Sequence, residues 1–298
     1  MTLQELRFIV ALSREKHFGK ASSACFVSQP TLSIAIRKLE EELGVILFER
    51  HKTDVRVTPL GKEIVERAKR VIAEVDGIKH AALFDRDQLS GTFRLGAIYT
   101  VGPYLLPSLI TRLHKAVPEL PVEIQEDYTA NLREKLVSGE LDAILISLPF
   151  TASGVVTRVI YKEPFVVLMP ADHPLAKYKT VPEKRLGDYK ILMLGEGHCF
   201  RDQIVSSCPS CFSSNQENRH YVEGSSLETI RLMVASGIGL TILPQSAASL
   251  GPYYEKNLVT RPLKGAHPSR SVALAWRDTY PRTKVIDEVL KAAILPKV

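Results

Sequence analysis

The chain has 298 residues, about twice a usual domain length, so the sequence predicts two or more domains and excludes a small disulfide-stapled scaffold. Hydrophobic residues at 45% and charged residues at 24% exclude disorder, while a net charge of +6 permits a nucleic-acid partner without requiring one. Glu5 and Arg7 interrupt the pattern of a secretion signal, and no run approaches the roughly 18 apolar residues of a membrane span, so a cytoplasmic protein is expected.

Residues 1 to 58 read as short helices followed by a hairpin. Leu3, Leu6, Phe8, Ile9, Val10 and Leu12 give a first helix a broad apolar face, and the His17-Phe18-Gly19 turn is expected to end it. A second short helix is expected from Lys20 to about Cys25. Ser28 suits an N-cap and Pro30 a first helical turn, after which Leu32, Ala35, Ile36, Leu39 and Leu43 recur at helical spacing. Gly44 breaks this third helix. Val45 to Phe48 and Arg50 to Val57 then predict two strands with a turn near Lys52-Thr53-Asp54, the outline of a winged helix-turn-helix. From Thr58-Pro59 a longer helix should run to about residue 87. Its stripe of Ile64, Ala68, Val71, Val75, Ile78 and Ala82 predicts pairing with a second copy, the competing expectation being packing within its own domain.

Beyond Leu89-Ser90-Gly91 strands alternate with helices. Strands are predicted at 92–97, 122–127, 143–148, 165–169, 190–194, 240–243 and 272–276, and helices at 104–116, 132–138, 227–235 and 284–293. Short connections between them predict an α/β sheet covered by helices, as one domain or two interleaved lobes.

Arg37, Lys38, Arg50, Lys52 and Arg56 surround the third helix and the hairpin. Arginine bridges guanine acceptors or phosphates, and Gln29, Thr31 and Ser33 near the helix start suit base edges or phosphate. Glu40, Glu41 and Glu42 lie at the far end of that helix, so placement rather than bulk charge carries the reading. The order FIVALSREKHFGKASSACFVSQPTLSIAIRKLEEELGVILFER followed by VTPLG resembles the amino-terminal domain of the LysR-type transcriptional regulators. SQPTLS at 28–33, ELG at 42–44 and LFER at 47–50 are specific in combination, and the resemblance extends over the whole chain. It implies an α/β protein with a winged helix-turn-helix at 1–58, a dimerising linker helix at 59–89 and an effector domain of periplasmic-binding-protein shape at 90–298. Lobe one is implied at about 91–162 and 267–298, and lobe two at about 163–266. Gln29, Thr31, Ser33 and Arg37 would face promoter DNA, with Arg50 and Arg56 on its backbone. The implied assembly is a homodimer that forms a homotetramer and works with RNA polymerase.

Three of the four cysteines, Cys199, Cys208 and Cys211, fall in LGEGHCFRDQIVSSCPSC at 194–211. In a reducing compartment such a cluster points to reactivity or metal binding rather than a structural staple. His198 and Arg201 are local cations expected to favour the Cys199 thiolate, Asp202 opposes them, and a second thiol can resolve an oxidised first. A disulfide needs Cα atoms within about 7 Å, so an intervening helix would have to unwind. A metal site built on Cys208 and Cys211 with His198, Cys199 or His220 is the weaker reading, because this CxxC has no second close pair. Cys25, on a helix, suits an inert interior thiol.

Within the family, GHCFRDQ at 197–203 is similar to the reactive-cysteine motif of peroxide-sensing members. The similarity implies that hydrogen peroxide oxidises Cys199, that Cys208 is its disulfide partner, and that Thr100, Thr129, His198, Arg201, Asp202 and Arg270 support the reaction. The resulting regulator would activate oxidative-stress defence genes and be reset by a cellular dithiol reductant such as glutaredoxin. Cys211 is outside that implied pair and stands as an alternative thiol. Two further readings are a regulator whose Thr100 and Thr129 bind a small metabolite between the lobes, and a thiol peroxidase with a DNA-binding module. With no GxGxxG, GxxxxGK or HExxH pattern, the sequence predicts a regulator rather than an enzyme, with no cofactor and no metal.

Overall fold

In the computed structural model, which describes residues 1–50, 55–84, 88–209, 221–248, 257–264 and 268–294, Thr2 opens the first helix, α1 (Leu3–Glu15), through a capping box. Its hydroxyl accepts from the Glu5 amide at 3.2 Å, and the Glu5 carboxylate accepts from the Thr2 amide at 2.7 Å. The chain divides into two compact units, Met1–Arg86 with Val137–Glu140 and Asp87–Leu136 with Leu141–Val298.

In the first unit α1 ends at Lys16, whose φ of 49° is left-handed. The His17 turn therefore begins the next helix rather than ending this one. His17 caps α2 (Phe18–Ala24), its Nδ1 accepting from the amides of Gly19 and Lys20 at 3.0 and 3.3 Å. Ser28 caps α3 (Gln29–Leu43) as expected, and Gly44 ends it at φ 65°. Leu32, Ile36 and Leu39 of α3 share one core with Leu6, Ile9 and Leu12 of α1. The strand expected at 45–48 is shorter and later: β1 (Phe48–Arg50) pairs antiparallel with β2 (Val55–Val57), Phe48 opposite Val57. Glu40 Oε1 takes the amides of Leu47 and Phe48 at 2.8 and 3.1 Å, tying the start of β1 to α3. The predicted turn at 52–54 lies outside the described residues.

The next helix, α4 (Pro59–Phe84), divides its apolar stripe. Val65 and Ala68 are buried in the core of the first unit, whereas Val71 and Ile78 are 43% and 69% exposed. The side chain of Ala82 and the expected helix end at 85–87 lie outside the described residues.

The second unit runs β3 (Phe93–Ile98), α5 (Gly102–Ala116), β4 (Val122–Asp127), α6 (Thr129–Ser138), β5 (Ala143–Ser147) and β6 (Val155–Pro170). It continues with β7 (Val181–Pro182), β8 (Ile191–Leu194), α7 (Cys199–Ser207), β9 (Tyr221–Gly224), α8 (Leu227–Ala235), β10 (Leu240–Pro244), α9 (Gln245–Ala248), β11 (Leu258–Lys264), β12 (Ser269–Arg277) and α10 (Thr283–Ala293). The strands follow the order β4-β3-β5-β12-β6-β10-β8-β9, with β11 on β6 and β7 on β11. β5, parallel to β3 and antiparallel to β12, is buried along its whole length, as expected of a central strand covered on both faces.

The sequence predicted only the 165–169 part of β6, which is 16 residues long. Its first portion, to Pro164, pairs antiparallel with β12, and its last, from Phe165, pairs with β10 and β11. One strand thus passes between two separate cores, one around Phe93, Ile144 and Leu274, the other around Leu168, Leu192 and Leu243. The result is a two-lobed α/β domain. Among the described residues no helix is long and apolar enough to cross a membrane.

Candidate functional site

Cys199 is the first residue of α7, immediately after the turn that leaves β8. Gly197 makes that turn at φ +93°, a conformation side-chain-bearing residues rarely adopt. A cavity lined by Ile98, Tyr99, Thr100, Tyr128, Thr129 and His198, among others, reaches the cysteine. The room it leaves for the centre of a water-sized molecule is about 10 Å³. That is close to the minimum needed to hold one water.

Burial pushes the Cys199 thiol up from its ordinary pKa, a hydrogen bond from Thr129 and the charge of Arg270 pull it down, and Asp202 adds to the rise. The Phe200 amide also favours the thiolate. The expectation that His198 supplies a cation is corrected here: burial lowers its pKa, against a backbone hydrogen bond at Ser225, and favours the neutral ring. Arg270 is the cation that acts on the sulfur, from 71 positions further along the chain. Arg201 is half-buried and Asp202 exposed on α7.

Arg270 is fully buried where β12 meets β6. Its Nε donates to Glu163 Oε1 at 2.8 Å, Nη1 to the Thr100 hydroxyl at 2.9 Å and Nη2 to the Thr100 carbonyl at 2.7 Å. Its guanidinium lies 5.4 Å from the centroid of Phe200, the residue after the cysteine. Glu163 Oε2 accepts the Ser246 amide at 2.9 Å, so the carboxylate is satisfied on both oxygens. Since Thr100 accepts from Arg270, its hydroxyl proton is left to donate elsewhere.

Cys208 lies at the far end of α7, fully buried in the second lobe's core. Nine residues of helical rise put it roughly 13 Å along the helix from Cys199, about twice the reach of a disulfide. In this structure Cys208 is disulfide-bonded while Cys199 and Cys25 are free, so the pair implied for Cys199 is not formed. Cys211 and His220 lie outside the described residues, among which no cluster of three or more His, Cys, Asp or Glu is suited to a metal.

On the first unit, Gln29, Thr31, Arg37 and Lys38 are exposed along α3, and Ser33 is half-buried. Ile34 is 68% exposed among them. Arg56 is exposed on β2, opposite Glu49 of β1; the side chain of Arg50 and all of Lys52 lie outside the described residues.

Two family models match the chain: the bacterial regulatory helix-turn-helix protein, lysR family, over residues 3–62, and the LysR substrate binding domain over residues 86–294. The chain belongs to the LysR family of transcriptional regulators. It is 37% identical over 293 residues to the DNA-binding transcriptional dual regulator OxyR of Escherichia coli K12, covering 98% of this chain and 94% of that one. A solved cysteine mutant of full-length OxyR from Pseudomonas aeruginosa is 47% identical, with a TM-score of 0.77, covering 100% of this chain and 99% of that one. A hydrogen-peroxide-bound cysteine mutant of Corynebacterium glutamicum OxyR is 32% identical, with a TM-score of 0.63, covering 98% and 91%. The chain is a DNA-binding transcriptional regulator of the OxyR type.

Three parts of this LysR-type site gave no sequence signal. Glu163 holds Arg270 from 107 positions away. Gln203 ties α7 to the first lobe, donating to the Ser147 hydroxyl at 2.9 Å and the Leu148 carbonyl at 3.0 Å. Tyr99 and Tyr128 meet His198 above the cavity. Each depends on contacts between segments distant in sequence, which local patterning does not encode.

Proposed function

We propose that this regulator senses hydrogen peroxide through Cys199. The observation that carries the reading is a free thiol on a cavity with room for about one water, with Thr129 and Arg270 disposed to stabilise its anion. That volume disfavours a metabolite bound through Thr100 and Thr129 and favours a very small oxidant. After the thiol loses its proton, the thiolate attacks one peroxide oxygen. The S–O bond forms as the O–O bond breaks, and the departing hydroxide takes up a proton and leaves as water. Peroxide is reduced and Cys199 oxidised to the sulfenic acid.

Cys208 then resolves it: its thiolate attacks the Cys199 sulfur, hydroxide leaves and becomes water, and a disulfide forms. The reaction begins from the form in which a dithiol reductant has freed Cys208, and a reductant such as glutaredoxin returns the product to that form. Because α7 separates the two sulfurs, bond formation unwinds the helix and releases the tie made by Gln203. Arg270 and Thr100 hold the cavity wall, His198 lines it beneath the exposed tyrosines, and Arg201 and Asp202 set the field along α7. Cys211 is an alternative thiol that competes with Cys208 or exchanges with it.

The altered effector domain, at about 90–298, changes promoter contacts made by the winged helix-turn-helix at 1–58 and activates oxidative-stress defence genes with RNA polymerase. Gln29, Thr31, Ser33 and Arg37 contact bases and phosphate, Ile34 offers an apolar face to a thymine methyl, and Arg50 and Arg56 contact the backbone. The linker helix at 59–89, with Val71 and Ile78 exposed, pairs two chains, and two such dimers make the tetramer. The test is promoter footprinting of wild type, Cys199→Ser and Cys208→Ser with and without peroxide. Only wild type should shift fully; a normal peroxide-dependent shift in Cys199→Ser rejects the reading.

A further inference from the structure

We propose that Tyr99, Tyr128 and His198 form an aromatic collar that filters oxidants by size, admitting hydrogen peroxide to Cys199 and excluding branched organic hydroperoxides. The proposal rests on Cys199 being the oxidised thiol. The rings come from three separate segments: Tyr99 follows β3, Tyr128 precedes α6 and His198 precedes α7. Their centroids lie 5.3 Å apart for Tyr99 and Tyr128, 4.8 Å for Tyr128 and His198, and 6.0 Å for Tyr99 and His198, so the three close on one another. Edge and tilted contacts of this kind are the arrangement aromatic rings favour. All three line the cavity that holds Cys199. The tyrosines are 38% and 39% exposed, whereas Cys199 is half-buried and His198 is 6% exposed, so the tyrosines form the outer part of the collar and His198 its inner part.

Two features hold the collar in place. His198 is tied to the Ser225 backbone by a hydrogen bond. Gly197 leaves space for the Tyr128 ring, since a Cβ at that position would lie 3.3 Å from two of its carbons.

The chemistry makes size matter at this spot. A thiolate displaces the leaving oxygen in line with the O–O bond, so the leaving group points away from the sulfur and towards the mouth. From hydrogen peroxide it departs as hydroxide and, after protonation, as water. From tert-butyl hydroperoxide it departs as an alkoxide that becomes the alcohol, and its branched carbon has to occupy the collar while the O–O bond breaks. A cavity with room for about one water does not accommodate that group unless the rings part.

The experiment measures second-order rates of Cys199 oxidation by hydrogen peroxide and by tert-butyl hydroperoxide in full-length wild type, Tyr99→Ala/Tyr128→Ala and Tyr99→Phe/Tyr128→Phe, with circular dichroism as the check on folding. Opening the collar should raise the tert-butyl hydroperoxide rate about tenfold or more while the hydrogen peroxide rate stays within about threefold, a size-discrimination effect of ordinary magnitude for a close pocket. The Phe pair should discriminate as wild type does. An unchanged rate ratio in a folded Ala pair overturns the proposal, as does loss of hydrogen peroxide reactivity in the Phe pair, which would assign the work to the hydroxyls. Tyr128→Leu serves if the Ala pair does not fold. Alkylation of Cys199 by a small and a bulky reagent reads the collar without peroxide. A wild type that filters alkylating agents but ignores hydrogen peroxide therefore rejects the sensing reaction and not the filter.

Discussion

Replacing Thr129 with valine keeps the branched shape and removes the hydroxyl whose hydrogen bond favours the Cys199 thiolate. A hydrogen bond to a charged group contributes about 1.5 to 3 kcal/mol, which at about 1.4 kcal/mol per decade lowers the thiolate fraction near pH 7 by roughly 10- to 100-fold. The more basic thiolate is also the better nucleophile, and a Brønsted slope of about 0.4 to 0.5 returns about half of that loss on a logarithmic scale. The net expectation is peroxide oxidation slower by about 3- to 10-fold near pH 7, with the variant overtaking wild type once the pH passes a point about midway between the two pKa values. In wild type the sign is already set by burial: a raised pKa leaves the thiol protonated near neutrality, so reactivity climbs as pH rises towards that pKa. The assay is the pH–rate profile of Cys199 alkylation and oxidation, resolved from Cys25 by peptide mapping. An unchanged rate near pH 7, with an unmoved midpoint, would refute the assignment of Thr129 to the sulfur.

Glu163→Gln leaves Arg270 buried with its partner charge removed, and urea unfolding of the chain should show a loss of about 3 to 5 kcal/mol from the effector domain. A loss below about 1 kcal/mol would place little weight on the pair. Val71→Lys with Ile78→Lys puts cations on the exposed part of α4, and sedimentation should show smaller assemblies than wild type; an unchanged mass contradicts pairing through this helix. Arg37→Ala should weaken promoter binding by about 1 to 3 kcal/mol, with relaxed preference at one base pair if it reads guanine or a shallower salt dependence if it meets phosphate. Gel shifts across a salt series distinguish the two, and unchanged binding removes Arg37 from the interface.

The first unit was largely legible because its signals are local. Leu32, Ile36 and Leu39 recur at helical spacing and are fully buried, and Ser28 and Gly44 bound α3 as their chemistry dictates. The errors there came from side chains that reach across turns. His17 reads as a turn residue but caps α2, and Glu40 reads as a solvated charge but takes two amides that would otherwise seek a strand. The effector lobes were legible as alternating elements, whereas the 155–164 part of β6 was not, since much of its length is half-buried or exposed and lacks the apolar run of its other end.

At the candidate site the sequence singled out the cysteines, and contacts from residues distant in the chain set the surroundings of Cys199. Burial raises the pKa of the Cys199 thiol, the Thr129 hydrogen bond and then the charge of Arg270 lower it, and burial of His198 favours its neutral ring. Nothing local links Thr100, Glu163 and Arg270, which the meeting of β6 and β12 brings into one buried network. Spacing alone also left open which thiol Cys208 engages, and this structure has it bonded while Cys199 is free.

In the proposed reaction Cys199 is the residue peroxide strikes first. The most direct test is a rapid-quench time course: the fully reduced full-length protein receives one equivalent of hydrogen peroxide, and every cysteine is read by sulfenic-acid trapping and peptide mass mapping. The sulfenic acid should appear first at Cys199 and decay as the Cys199–Cys208 disulfide rises, with Cys25 unmodified throughout. Oxidation that begins at Cys208, Cys211 or Cys25 while Cys199 remains a thiol would contradict that reaction.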